Sequence, residues 1–380
     1  MYYQIKQISH WNLNSFNGQV KMNIVKKINV PTGHILVVEG TKGPLELVSM
    51  GYYGKDINLN KDSQVKDDLP LLPLTDKWVV TISTQYTCKQ ACKFCDVPKV
   101  KFNHQNINCT LNDLQQQVIT ALHLHPEVKY SNRLNIHYAR VEEPTWNPYV
   151  LDHAKWMKEH IDPEYNVHPV LTTMMPKNND WLKTMIHAWV RIKNRVYFGN
   201  AGLQISINGT NEDERTEMFS GTSLTIPEIA KLMDGTIPVG RKFTLNFPVC
   251  DWEIDPNVLL RYFNPEHYIC KLTPMHKTHR SQQFGIETKG DYTDFASYKD
   301  IQKSLEKVGY QTLVFIASED EDHGMITCGN ALLANVKEPR IRTEEMKFIG
   351  GSKVGKTPFE SWNNQKDPFH KKLVELNVIT

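Results

Sequence analysis

From Trp78 onward, short apolar runs alternate with longer amphipathic ones, and this alternation restricts the fold more than any other feature of the chain. "WVVTIST" (78–84), "RLNIHYAR" (133–140), "HPVLTTM" (168–174), "GLQISING" (202–209), "RKFTLNFPV" (241–249) and "YICKLTP" (268–274) read as strands. "LNDLQQQVITALHLH" (111–125) reads as a helix behind a Thr110/Asp113 start signal, and "YVLDHAKWMKEHI" (149–161) and residues 180–197 read as two more. "TIPE", with Thr225 and Glu228, is a capping box that opens a fourth helix, and a short helix separates the last two of these strands. A final pair follows, helix 295–310 and strand 312–318. Repeated β-α units imply a parallel sheet with helices outside and working loops at the strand C-termini. Six units before the last pair fall short of a closed eight-unit barrel. The expected fold is therefore α/β, a partial (β/α)6 TIM-type barrel over residues 77–336.

The flanks read differently. Residues 33–55 hold short β-rich runs broken by Gly, a small hairpin or meander, and 55–73 read as a polar, Pro-punctuated linker. Residues 1–76 are thus a β-rich N-terminal extension without recognisable chemistry. Residues 337–380 form a C-terminal extension whose nine Lys/Arg outnumber six Asp/Glu. Over the whole chain the formal charge is only +2, which neither demands nor excludes nucleic acid. No run of 18 apolar residues is present, so no membrane span or membrane partner is expected, and the start lacks the apolar core of a signal peptide. Seven cysteines, an odd number with three clustered, fit a reducing cytoplasm better than a disulfide framework.

The three clustered thiols are Cys88, Cys92 and Cys95 in "TCKQACKFC", spaced C-x3-C-x2-C directly after the first barrel strand. Four thiolates would close a zinc site or a cubane iron–sulfur cluster. Three leave one iron of a [4Fe-4S] cluster with an open position, able to bind and reduce a small chelating ligand. The same thiols could instead hold zinc with a distant His or Cys as fourth ligand, which would make the chain a zinc-stabilised binding module, or they could serve an iron–sulfur electron carrier; neither would be an enzyme. Phe94 is placed to shield a cluster.

This motif at the end of a first barrel strand resembles the radical S-adenosylmethionine (radical SAM) superfamily. The resemblance implies that SAM chelates the open iron and is split by one electron to methionine and a 5′-deoxyadenosyl radical. It also implies an electron donor such as flavodoxin or ferredoxin.

Further segments, in order from about residue 78 to 336, are similar to the RlmN/Cfr family, which methylates adenine carbons in RNA. "TISTQYTCKQACKFC" is similar to that family's strand-plus-cluster segment, including Ser83 and Gln85. "ARVEEPTWN" stands at the family's Gly-Glu-Pro motif, with Glu142 in place of Gly and with Glu143 and Pro144 matching; Glu143 would bind the SAM ammonium. Taken alone, Glu143 could equally be a helix N-cap. Thr172 stands where the family has a SAM-contacting serine, Ser206 and Asn208 resemble its ribose- and carboxylate-binding Ser-x-His, and His276 replaces the Asn of its "IP-aromatic-Asn-Pro". "GMITCGNAL" (324–332) looks like the family's "ACGQL", which makes Cys328 the methyl-carrying cysteine. Without the resemblance Cys328 would read as a small buried hydrophobe.

Two departures stand out. Thr81 occupies the position of the family's second, resolving cysteine, so either Cys109, Cys250 or Cys270 substitutes for it, or the product is released differently, or the reaction is not this methylation. The family's RNA-contacting N-terminal domain is not recognisable in residues 1–76. The resemblance implies a nucleobase in RNA, DNA or a nucleotide as substrate, with Lys99, Lys101, Arg140 and Arg241 as candidate contacts near strand ends. The alternative is radical chemistry on a small molecule or peptide without methyl transfer.

Overall fold

The computed structural model describes residues 21–30, 32–53, 71–289, 296–315 and 329–333. Seven parallel strands pair in chain order: β6 (Trp78–Ile82), β7 (Leu134–Tyr138), β8 (Val167–Thr173), β9 (Gly202–Ser206), β10 (Phe243–Val249), β11 (Tyr268–Pro274) and β12 (Gln311–Val314). Parallel pairing demands long crossovers, and helices supply them: α1 (Leu111–Leu122), α2 (Tyr149–His160), α4 (Leu182–Arg191), α5 (Glu212–Met218), α6 (Ile226–Met233), α7 (Pro256–Tyr262) and α9 (Ala296–Lys307). Three short helices, α3 (Asp162–Tyr165), α8 (His279–Gln283) and one at Asn330–Leu333, are also present. This is the α/β partial barrel expected from the alternation, six strands followed by a seventh.

Local signals account for where the helices begin. Thr110 and Asp113 form a reciprocal capping box at α1, and Thr225 and Glu228 form one at α6. The 180–197 pattern does not stay α-helical throughout: α4 ends at Arg191 and a π-helical turn, Ile192–Val196, follows. Lys193 lies in that turn and is buried, donating to the Gly199 carbonyl at 3.3 Å and to the Val239 carbonyl. Burial pushes its ammonium down to about 8.

Residues 24–50 form an antiparallel meander, β1 (Ile24–Val30), β2 (Gly33–Glu39) and β3 (Pro44–Met50), and β3 pairs antiparallel with β6. The ten strands β1–β3 and β6–β12 are therefore one continuous sheet. A two-residue pair, β4 (Tyr52–Tyr53) with β5 (Leu71–Leu72), brackets the expected linker, of which residues 54–70 lie outside the described set.

Alternation along the strands separates two environments. Leu134, Ile136 and Tyr138 of β7 join the main core under the helices, together with Trp78, Trp189, Leu203, Leu245 and Leu272. Asn135 and His137 take the opposite parity, which is the inner face. There burial pushes His137 down to about 3, with Lys271, Arg241, Arg133 and Lys77 adding to the effect, so the ring is neutral near pH 7. Trp189 anchors the outer layer: it is fully buried, its indole N–H donates to the Gly202 carbonyl at 2.9 Å, and its ring meets Tyr138 edge-on at 5.8 Å. Trp189→Ala is expected to cost about 3–5 kcal/mol, seen as a fall in Tm on the order of 10 °C in thermal denaturation.

Candidate active site

Cys88, Cys92 and Cys95 lie on the loop that leaves β6, at the C-terminal end of the parallel strands. The loop is not left to its own conformation. Arg280 donates from Nη2 to the Ala91 carbonyl (2.9 Å) and from Nε to the Cys92 carbonyl (3.1 Å). Thr278 donates to the Phe94 carbonyl (2.8 Å), and Ser220 donates to the Ala91 carbonyl (2.7 Å). The Lys93 amide donates to the Met218 carbonyl (2.9 Å). In the reverse direction Asp96 accepts the first amides of α8, from His279 (3.0 Å) and Arg280 (3.1 Å). The loop backbone is thus clamped by the chain following β11 and by α5, and the thiols do not have to hold it.

Around the thiols the surface is apolar. Cys92 and Cys95 pack with Met174, Phe219 and Phe94, and Phe94 meets Phe219 edge-on at 5.8 Å. Cys88 and Cys95 also border a second group containing Val97, Val100 and Val141. Burial pushes the Cys88 and Cys92 thiols well up, and the neighbouring thiols and Glu143 push in the same direction. A bound cation inverts this balance, because a metal holds its thiol ligands deprotonated. Among the described residues no three His, Cys, Asp or Glu side chains gather closely enough to hold a single ion. The donor set, three thiols on one clamped loop inside an apolar shield, fits a cluster ligated by three cysteines.

Glu142 and Glu143 lie beside this loop on the turn that follows β7. Gln85 carries the connection: its side-chain oxygen accepts the Glu143 amide (3.0 Å) and its side-chain nitrogen donates to Asn108 (2.8 Å). Ser83 ties the same turn to β3, accepting the Val141 amide (3.2 Å) and donating to the Glu46 carbonyl (2.5 Å). Glu143 caps the short 3-10 turn Pro144–Trp146, so the N-cap geometry is realised. Its Oε1 accepts from the Thr145 amide (3.2 Å), the Thr145 hydroxyl (2.6 Å) and the Thr173 hydroxyl (2.8 Å), while its Oε2 accepts from the Met174 amide (3.0 Å). Glu142 accepts from the Thr84 hydroxyl at 3.2 Å. Burial pushes both carboxyls up, and Glu143 pushes Glu142 further. A buried carboxyl, Glu143, and a partly buried one, Glu142, thus stand side by side near Cys88 and Cys92.

The remaining strand-end residues distribute as follows. Thr172 is the penultimate residue of β8, one before the Thr173 that binds Glu143, and its hydroxyl oxygen is buried without a partner among the described residues. Ser206 ends β9 opposite Asn246 of β10, whose side-chain oxygen is likewise buried and unpartnered among the described residues. Such orphaned polar atoms, one near the end of β8 and one in the middle of β10, are what a polar ligand would satisfy. Asn208 has a left-handed backbone (φ 67°), and its side-chain amide donates to the Met218 sulfur at 3.1 Å, so it faces α5. His276 follows β11 in the clamp segment, where its carbonyl accepts from the Thr278 amide (3.0 Å).

Cys328 lies outside the described residues. Its chain neighbour Gly329 is described and packs against Val97, two residues past Cys95: a Cβ at Gly329 would stand 3.1 Å from both Val97 Cα and Cγ2. Gly329 has φ +78°, so an L side chain would be strained as well as crowded. Gly329→Ala is expected to loosen the 329–333 segment by about 1–2 kcal/mol, measured as faster amide exchange of Ala331 and Leu332.

Several site residues escaped the sequence reading. Glu46, Asp96, Thr173, Thr278 and Arg280 all contribute to this region, and only Glu46 left a mark in the sequence, as one acidic residue inside the apolar strand "PLELV". Arg140 is moved away from the role given to it: it is buried and ion-paired with Glu46, so it is not a surface contact for nucleic acid. Arg241 precedes β10 and so lies at the strand end opposite the cysteine loop, donating to the Asn200 carbonyl at 3.2 Å. Among the spare thiols, Cys109 and Cys270 are fully buried in the main core. Cys250 follows β10 and packs with Met218, Met275 and Phe94; burial pushes its thiol up to about 11, so it is protonated near pH 7. Thr81 pairs with Val48 and His137 within β6.

Among the described residues no helix is long and apolar enough to cross a membrane. No protein-family model matches the sequence, and no curated protein matches it at a significant level. A comparison of folds finds a radical SAM methyltransferase from Sphaerobacter thermophilus, 15% identical, with a TM-score of 0.56 over 83% of this chain and 84% of that one. With the cysteine loop clamped at the mouth of an open parallel barrel, the chain has the fold of a radical SAM methyltransferase.

Proposed function

We propose that this chain is a radical SAM enzyme of the RlmN/Cfr type that methylates a nucleobase in RNA, DNA or a nucleotide through Cys328. The observation that carries the reading is the placement of Gly329, next in sequence to Cys328, against Val97 beside the three-thiol loop. Ala331 and Leu332 share one apolar cluster with Val97, Val100, Cys88 and Cys95. The fold likeness to a radical SAM methyltransferase adds support. Cys88, Cys92 and Cys95 would hold a [4Fe-4S] cluster. Glu143 would take the SAM ammonium, with Glu142 as a second carboxyl, and Thr172, Ser206, Asn208 and His276 would line the rest of the SAM site. Bound there, SAM supplies a methyl group and, with an electron from a donor such as flavodoxin or ferredoxin, a carbon radical. The chain's part is to present a thiolate, keep water away through Phe94, Phe219 and Met174, and orient the ligand through Glu143. A reducing compartment, the cytoplasm, suits such thiols.

The second reading, radical chemistry on a small molecule or peptide without methyl transfer, draws on Thr81. Cys109 and Cys270 are enclosed in the main core, so Cys250 is the spare thiol placed at the working end of the sheet. The two readings separate in one experiment. Anaerobically reconstituted protein incubated with SAM is digested, and the peptide containing Cys328 is weighed. Methyl transfer through Cys328 requires a gain of one methylene unit, absent from Cys328→Ala, and loss of product methylation in that variant. Modified substrate formed by Cys328→Ala at the wild-type rate would leave the second reading in place.

A further inference from the structure

Arg280 lies in α8 and reaches back to the cysteine loop, and both its backbone and its side chain are held in place. Asp96 accepts its amide at 3.1 Å, and a Thr278–Ser281 capping box sets the start of the helix. The guanidinium donates from Nε to the Cys92 carbonyl (3.1 Å) and from Nη2 to the Ala91 carbonyl (2.9 Å), and it lies over the Phe284 ring at 5.4 Å. Carbonyls and a ring carry no net charge. Among the described residues no carboxylate forms an ion pair with Arg280. The loop's own cations differ from it: Lys93 is ion-paired with Glu217 at 2.9 Å, and Lys89 is exposed.

Adhesion alone does not call for a guanidinium here. The Ser220 hydroxyl also holds the Ala91 carbonyl (2.7 Å), and the Thr278 hydroxyl holds that of Phe94 (2.8 Å), so neutral donors suffice for this backbone. What Arg280 adds is a full positive charge against the residue that carries a buried thiol, Cys92. Charges act more strongly where water is excluded, and Cys92 packs with Met174, Phe219 and Phe94. Glu143 stands near the same thiol, and a negative group opposes the addition of an electron there. A cation beside Cys92 acts in the other sense.

We infer that Arg280 is the charge partner of the cluster held by Cys88, Cys92 and Cys95, and that its guanidinium favours the reduced form of that cluster. The inference rests on the cluster-ligand reading given above and goes beyond it: the residue that clamps the loop also sets how readily the site takes an electron. Net charge and nearby hydrogen bonds are among the factors that set iron–sulfur potentials. Three thiolate ligands leave a four-iron cluster anionic, and one electron from a reductant adds a further negative charge. A cation fixed nearby therefore stabilises the reduced form more than the oxidised one.

The test uses the full chain with its cluster reconstituted anaerobically, as wild type, Arg280→Lys and Arg280→Gln. Each protein is titrated with dithionite and redox mediators, without SAM, and the reduced form is read by electron paramagnetic resonance. Arg280→Gln should disfavour reduction by about tenfold, a midpoint about 59 mV more negative for one electron. Arg280→Lys keeps the charge and should stay much closer to wild type. Amide exchange of residues 89–95 in cluster-free protein should quicken in both variants, since both lose the grip on two carbonyls; a clamp with no electrical role would change nothing else. Wild-type protein that assembles no iron and acid-labile sulfide overturns the cluster reading, and this inference with it. Wild-type protein that does assemble them, with Arg280→Gln at the wild-type potential, overturns the charge role alone. Equal shifts in the two variants would trace the effect to loop geometry and overturn it too, as would loss of iron from both. Loss of iron from Arg280→Gln alone would support it, because the charge would then be needed to hold the anionic cluster at all.

Discussion

Cys92→Ala is expected to abolish the oxygen-sensitive brown chromophore of anaerobically prepared protein and to remove its capacity to cleave SAM under dithionite. The reason is coordination: two protein thiolates are too few for a four-iron cluster with one iron already open. The fold should survive, because the loop is held through carbonyls that Arg280, Thr278 and Ser220 bind, and none of those contacts involves the sulfur. The expected result is thus a folded, colourless protein with iron far below wild type. Full iron and retained SAM cleavage would overturn the ligand assignment. Wild-type protein that binds zinc without acid-labile sulfide would restore the binding-module reading.

Glu143→Ala is expected to weaken SAM binding by roughly 1.5–3 kcal/mol, the range for a hydrogen bond to a charged group, or about ten- to a hundredfold in Kd. The carboxylate is oriented before any ligand arrives, with three donors on Oε1 and one on Oε2. Removing it therefore loses both the charge and the geometry. Because Glu143 is also held by donors of its own turn, a control is needed that removes one of these side-chain donors and spares the carboxylate. Thr145→Val serves: it removes the donor at 2.6 Å from Glu143 and leaves the charge in place. Isothermal titration with SAM should show a large loss for Glu143→Ala and a much smaller one for Thr145→Val. Equal effects on affinity would reduce Glu143 to a helix cap.

The comparison of sequence with structure divides along sequence distance. The strand–helix alternation, the capping boxes at Thr110 and Thr225, and the C-x3-C-x2-C spacing are local signals, each carried within a dozen residues or so. Period and caps act on a single element, and the rule that parallel strands need crossovers turns a series of elements into an open barrel. Ser83 and Gln85 were visible as residues of the cluster segment, but their work was not: they brace the Glu142–Glu143 turn from 58 positions away.

The α/β barrel, the place of the three thiols at the end of its first strand, and the order of the polar strand ends are all legible in the sequence. Tertiary structure alone decided how these are assembled. It joined β3 to β6, so the meander continues the barrel's sheet. It set Arg280 on carbonyls 188 and 189 positions away, buried Arg140 against Glu46, and brought Glu46 to the Gly329 amide across 283 positions. No local pattern encodes such contacts. They arise where buried charges and backbone amides must find partners once the strands have paired, and the partner is whichever group the completed fold places within reach.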